Sequence, residues 1–594
     1  MTAALGEPAR ASLLARPHHD GSELYVDRLG DFAELRLRTR EGDADAVLLR
    51  YVEDGEPRTV KASVDAHVDG DVWWRAEVPL HNPVVSYRWL MTGGRLGYRW
   101  LNGAGSHRQE VSPTDDFKLG ADPGGPDWHL SSVVYEVFLD RFASSGAARE
   151  EPSWAVRRDW DRLPDSHTRN PHRELFYGDL RGVEQRLDHV VSLGANVIWL
   201  TPFFPGESNH RYDPTSFDRV DPVLGGDAAL ESLGRAAHDR GLRLIGDLSL
   251  DHSGSRHEWF LKAQANPSSV ERSFFLFDRS ETHGYASWFG YKEMARFDWR
   301  SPELRSRMGA SVRRWLDVAL DGWRIGAAPM VGRHRDVDLN AEIARWMREQ
   351  VGDALLLAEY WHDFRPDLDG RGWHGVMNYA GFLRPVWWWL RGEVIGPDVF
   401  DIFASAPAPS YSGDDAVTVM CSSRAGAPWE SSLHSWLMLD THDTPRFGRV
   451  ADSREREVVG VGLQMTSPGV PMVFAGAEIG LDGASGYDTR RTMPWDHTER
   501  WDEHLLGEYR RLIALRRSSD ALARGGIRFV HVGDDAIAYL RETRAERVLC
   551  LAARAPHDPI AVPFTHVDTL YGEDVRDGVL PSDGPAFHVW RIDS

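Results

Sequence analysis

Five short segments of the chain carry side chains able to do acid–base work. Asp247 stands four residues before Asp251, which is followed by His252. Arg324 stands two residues before Gly326. Glu359 opens a polar stretch with Tyr360, Trp361 and His362. His442 and Asp443 lie between Asp440 and Arg446, and Asn209 to Asp213 includes His210 and Tyr212. Carboxylates and histidines supplied together suit a bond whose leaving oxygen must be protonated. A glycosidic bond needs one carboxylic acid for that proton and a second carboxylate as nucleophile or base. Histidines and an arginine suit sugar hydroxyls and the orientation of carboxylates.

Each residue also has a plainer reading. Asp247 reads as a loop-capping residue, Glu359 as a salt-bridged acid, and His252 and His442 as hydrogen-bonded scaffold. Arg324, following an apolar strand, must be paired if buried, so a structural ion pair accounts for it equally. Trp387, Trp388 and Trp389 read as helix packing rather than a sugar platform. What favours chemistry is that the candidates recur after successive strands.

Those strands are legible as short apolar runs: 133–138, 197–200, 244–248, 322–325, 355–358, 375–377, 435–439 and 471–474. Helical patterns at 227–240, 302–319 and 340–351 lie between them. Eight such runs in fewer than 400 residues predict an α/β fold of the (β/α)8 TIM barrel type over 127–522. Reacting groups of such a barrel sit at the C-terminal ends of its strands. The long stretch 251–298 reads as an inserted subdomain after strand 3. Period-two alternation before residue 122, broken by Asp54–Gly55, Asp69–Gly70 and Gly93–Gly94, predicts an N-terminal β-sandwich. The segment from Ala121 to Pro126 reads as a linker. Short strands after residue 522 predict a C-terminal β-sandwich over 523–594.

Composition narrows the partners. The 594 residues carry 69 basic and 90 acidic side chains, so 69 − 90 gives a net charge of −21, which repels nucleic acid and anionic membranes. Only Cys421 and Cys550 are present, without metal-ligand spacing, so no disulfide framework and no zinc site are expected. No strand is followed by a Rossmann or Walker glycine fingerprint, which argues against nucleotide chemistry. Met1 to Arg16 carries no leader-like apolar run, and no window approaches the ~20 apolar residues of a membrane span. A soluble, cytoplasmic protein without a cofactor is the expectation. The 24 tryptophans hint at stacking on sugar rings.

The motifs together resemble the alpha-amylase family, glycoside hydrolase family thirteen, and within it the neopullulanase, cyclomaltodextrinase and maltodextrin-glucosidase branch. The resemblance runs from Val133–Phe142 through Phe176–Leu180, Leu193–Pro202 and Asp221–Gly225. It continues through the strand-end segments to Gly469–Gly476 and Arg490–Trp495. It implies an enzyme acting on α-glucosidic or related small sugars. It also implies a starch-binding-module-like N-terminal domain and a homodimer. Glu359 then matches the general acid/base, and Asp443, with His442 beside it, the carboxylate that holds sugar hydroxyls. Tyr212 and His252 match contacts to the glucose ring, Asp247 the first acid of the third-strand motif, and Arg324 the arginine that orients the nucleophile. Arg446 joins them as a substrate-binding candidate. Family members often hold calcium, but no oxygen-ligand loop of the EF-hand kind occurs here, and no metal is expected.

The nucleophile of the family would stand two residues after Arg324, where this sequence has Gly326. Asp251 stands where the family has Asn, Pro329 where a polar residue is usual, Tyr360 where His is frequent, and Ala477 where an acid is expected. These departures are expected to line one pocket. Three readings follow. One is an enzyme with altered chemistry (inverting, transfer, glycosynthase-type or non-hydrolytic) using Glu359 as acid and Asp443 or Asp251 as base. Another is a non-catalytic α-glucan binder. The third is an inactivated mutant of a retaining hydrolase.

Overall fold

The computed structural model describes residues 16–121, 124–166, 168–392, 409–484, 486–564 and 567–592. The predicted linker at Ala121–Pro126 lies partly outside these residues, and Met1 to Ala15 wholly so.

The N-terminal half-layers form because apolar side chains alternate with polar ones. Leu35 and Leu37 point inward while Arg36 and Arg38 stay partly exposed. One sheet joins Val26–Leu29, Phe32–Arg40, Asp71–Pro79 and Ser63–Val68 in that order. The other is built on Ala46–Glu53 and Val84–Gly93, and a core including Leu35, Val47, Leu49, Val78, Trp89 and Met91 lies between the sheets. At Asp54–Gly55 and Asp69–Gly70 both residues have positive φ, the tight hairpin geometry that matches strand twist.

The eight expected runs close into one parallel barrel. Its strands are β1 Val134–Val137, β2 Val197–Leu200, β3 Arg243–Ser249, β4 Gly322–Gly326, β5 Leu355–Tyr360, β6 Gly375–Asn378, β7 Trp436–Met438 and β8 Val470–Phe474. All but the first residue of β3 are buried, as strands covered on both faces must be. Helices cover the outside, several with a side-chain cap at the start. Ser301 accepts from the Leu304 N–H ahead of the helix Pro302–Val318, and Asp502 from the Leu505 N–H ahead of Glu503–Ser518. Trp387 and Trp389 are buried in the helix Arg384–Arg391, and their indole N–H groups donate to the carbonyls of Leu439 and Asp534, so they pack.

The excursion after β3 leaves and returns through a narrow neck. His252–Gly254 pairs antiparallel with Met294–Arg296, and the Phe297 N–H donates to the Asp251 carbonyl at 2.9 Å. C-terminal to the barrel, five strands form one sheet. One face, with Ile537, Tyr539 and Phe587, joins the barrel core; the other, with Leu549, Leu551 and Trp590, is covered by Ile560, Val562 and Leu580. Among the described residues no helix is long and apolar enough to cross a membrane.

Candidate active site

The parallel register sets Asp247 of β3 beside Arg324 of β4, and Ser249 beside Gly326. Arg324 is 1% exposed and Asp247 fully buried, so each needs the other. The Arg324 Nη1 donates to both Asp247 oxygens at 3.1 and 3.2 Å, and its Nη2 donates to the Glu359 Oε1 from β5. One guanidinium is therefore shared by two carboxylates. Burial raises the Asp247 carboxyl to about 6 even against the pull of Arg324. Burial acts to lower the Arg324 pKa, but Asp247 and Glu359 outweigh it and hold the guanidinium firmly charged.

The second oxygen of Glu359 accepts the Ala327 N–H at 2.8 Å. Ala327 has φ 50°, a left-handed conformation that costs a non-glycine residue about 1–2 kcal/mol. The turn at the end of β4 thus spends backbone strain to aim one N–H at Glu359. Gly326, just before it, has no side chain, and a Cβ built there would meet the Arg324 Nη1 at 2.9 Å.

Tyr212, from the loop after β2, donates its hydroxyl to the Asp247 Oδ2 at 2.9 Å and lies 3.0 Å from the His442 Nε2. His442 follows β7 and is held from behind, its Nδ1 on the buried Glu136 of β1. Burial works against charge on His442, but Asp443 and Glu136 overcome it and raise its pKa. The Asp443 Oδ1 accepts from the Arg490 Nη2 at 2.7 Å, and its Oδ2 lies 3.3 Å from the His442 Nε2. Burial would raise the Asp443 carboxyl, yet His442, Arg490 and Arg324 hold it below the usual carboxylate range.

The structure therefore brings Tyr212, Asp247, Arg324, Gly326, Glu359, His442 and Asp443 together. His252 borders them, its Nε2 on the Tyr212 carbonyl at 2.9 Å. Two candidates require correction. Asp251 is gripped by Arg296, whose Nε and Nη2 reach its Oδ1 at 3.0 and 2.8 Å, so it is the anchor of the neck and not a free base. Arg446 is 1% exposed and donates to the carbonyls of Thr489, Phe474 and Ala475, which ties β8 to the chain beyond it and turns the guanidinium toward backbone rather than toward the cluster. The sequence departures are not all held in one hydrogen-bonded network. Asp251, Pro329 and Tyr360 belong to a network behind the cluster. Arg296 also donates to the Met330 and Arg333 carbonyls, Arg333 to the Pro329 carbonyl and Asp367, and the Tyr360 hydroxyl to Asp367. Ala477 lies in the turn after β8, outside that network.

Sequence reasoning missed Glu136 and Arg490 as site residues. A carboxylate inside the apolar run Val133–Phe138 was the available signal for Glu136, since a charge there demands a partner. Nor did it assign the aromatic clusters of the inserted subdomain to the site. Phe289 is 64% exposed and 6.3 Å from Trp361, which follows Glu359 by two residues, and Trp288 stacks with Tyr291 at 5.8 Å.

Comparison with known proteins follows the same lines. Residues 136–378 match the family model described as alpha amylase, catalytic domain. A cyclomaltodextrinase from a Bacillus species is 27% identical over 565 residues, covering 90% of this chain and 93% of that one. Neopullulanase 2 of Thermoactinomyces vulgaris is 27% identical over 608 residues, covering 95% and 96%. The structure of the type III pullulan hydrolase from Thermococcus kodakarensis superposes with a TM-score of 0.72 at 22% identity, covering 97% of this chain and all 100% of that one, a likeness of fold.

Proposed function

We propose that this chain, an enzyme of the glycoside hydrolase type, cleaves α-glucosidic bonds of small glucans with inversion at the anomeric carbon. One observation carries the reading. Gly326 stands at the strand end where the resembled family has its nucleophile, and Arg324 there binds Asp247 and Glu359 instead. Without a carboxylate at 326 the covalent route of the resembled family lacks its nucleophile, and in this reading a water is the entering group. An inverting pair needs its carboxyls ~6.5–9.5 Å apart to seat that water, against ~5–5.5 Å for a retaining pair. Removing a side chain from the strand end widens the site in that direction.

In this reading the glucosyl ring lies over Tyr212, and Asp443, fixed by Arg490, holds its hydroxyls. Glu359 turns from the Ala327 N–H and gives its proton to the leaving oxygen. Trp361, Phe289 and Tyr291 supply apolar faces for the next sugar. The names of the cyclomaltodextrinase and neopullulanase relatives support an α-glucan as substrate, and the domain plan of the resembled branch supports a homodimer, which sedimentation velocity checks.

The test is a proton NMR time course on maltotriose, with Glu359→Gln beside it. β-Glucose or β-maltose appearing before mutarotation is the expected result, and the variant should lose about 10²–10⁴-fold in kcat. An initial α-product would refute inversion. One observation favours a second reading, a non-catalytic glucan binder: both Glu359 oxygens already accept hydrogen bonds from the protein. Calorimetric binding of maltotriose without any product would decide for it.

A further inference from the structure

We propose that Asp247 is the general base of this site and that it holds the attacking water against Gly326; the inference rests on the inverting reading above. The position of a Cβ on Gly326 is a defined point in the cluster. It lies 2.9 Å from the Arg324 Nη1, 3.7 Å from the Tyr212 Cε1 and 3.8 Å from the Asp247 Oδ1. A water oxygen near that point accepts a hydrogen bond from the guanidinium and, displaced about 0.8 Å toward Asp247, donates one to the carboxylate. The flat Tyr212 ring closes the remaining side. A donor, an acceptor and an apolar wall thus meet where the strand end lacks a side chain.

The other carboxylates serve this role less well. Asp251 is taken up by Arg296 at the neck. Asp443 is clamped between Arg490 and His442, and these cations keep it weakly basic against the effect of burial. Asp247 faces Arg324 from β4, Tyr212 from the loop after β2, His442 from beyond β7 and Glu359 from β5, and burial leaves its carboxyl at about 6, close to the pH at which a base is most useful. Its Oδ2 takes both the Tyr212 hydroxyl and the Arg324 Nη1, while its Oδ1 takes only the Arg324 Nη1 and keeps lone-pair capacity for the water.

The step balances as follows. A water O–H bond breaks and its proton passes to Asp247. The water oxygen bonds to the anomeric carbon as the bond from that carbon to the leaving oxygen breaks, and Glu359 delivers its proton to that oxygen. The cycle ends with Asp247 protonated, Glu359 ionised and a β-hemiacetal released. Loss of that proton to water entering as the product leaves, and return of a proton to Glu359, restore the starting state.

α-D-Glucosyl fluoride separates the two carboxyls, because fluoride departs without a proton. The wild-type chain should release fluoride and β-glucose. Asp247→Asn should lose about 100-fold or more in kcat with KM nearly unchanged. Asp247→Gly should recover turnover in sodium azide and yield β-glucosyl azide, a product that only a folded site lacking its base can make. Wild-type β-glucose together with an Asp247→Asn rate within threefold of it would overturn the role of Asp247 alone. So would an Asp247→Gly chain with native near-ultraviolet dichroism that makes no azide adduct. Wild-type α-glucose, or no fluoride release at all, would overturn the inverting reading and this inference with it.

Discussion

Asp247 and Asp251 lie four residues apart, and each is buried against an arginine, yet the two pairs do different things. Arg324 divides itself among side chains: Asp247, Glu359 and, at 3.5 Å, the Tyr212 hydroxyl. Arg296 holds Asp251 but gives further hydrogen bonds to the carbonyls of Met330 and Arg333. Backbone carbonyls neither titrate nor move without the chain, so the second pair is a fixed brace. The first consists of groups that can exchange protons and faces the glycine at the end of β4. A buried ion pair is thus informative about chemistry through its third and fourth partners, not through the pair itself.

Removing Arg324 should strain the comparison most. Arg324→Met leaves two buried carboxylates without their cation, and about 3–5 kcal/mol of stability should go in urea unfolding, together with all turnover. A loss below about 1 kcal/mol would mean that water or His442 already satisfies them. Gly326→Asp comes next. Its carboxylate would compete for Arg324 and release Glu359, and the first product anomer by NMR should change from β to α. A β-product from that variant would show that the neighbours of Gly326 no longer support a covalent route.

Asp251→Asn is expected to cost about 1.5–3 kcal/mol, the worth of hydrogen bonds to a charged group, while kcat stays within about threefold. A hundredfold fall in kcat would erase the distinction between the two aspartates. The smallest effect is on pH dependence. The Asp247 carboxyl titrates at about 6 in the folded chain and at the ordinary carboxylate value when unfolded. Its contribution to stability is therefore full at low pH and lost as pH rises through 6, at no more than about 1.4 kcal/mol per unit. Asp443, held low, works the other way, contributing above the ordinary value and losing it as pH falls. Urea midpoints of Asp247→Asn between pH 4 and 7 should fall less steeply than those of the wild type.

Much of this was legible in residue order, and the failures have physical causes. All eight barrel strands stood out because a parallel strand covered on both faces reads as a near-continuous apolar run. Glu359, Arg324 and Asp247 were legible as strand-end polar groups. Which of two nearby aspartates faces the site was not: β3 ends at Ser249, so Asp247 is oriented by the ladder while Asp251 follows the neck. Arg446 was misjudged because proximity in sequence to His442 and Asp443 says nothing about side-chain direction after a turn. Glu136 stayed hidden inside an apolar run, where hydropathy patterning treats an acid as an interruption.

The neck of the inserted subdomain has one more consequence. Its two ends are already hydrogen-bonded to each other at Asp251 and Phe297 and braced by Arg296. The entropy of closing such an excursion grows only slowly with its length, so its interior can be shortened, extended or exchanged at small cost to the barrel. Phe289 and Tyr291 ride on that interior, whereas Asp247 and Arg324 stand in the strands beneath it. Under the function proposed here, exchanging the chain above the neck changes chain-length preference and leaves the reacting floor untouched.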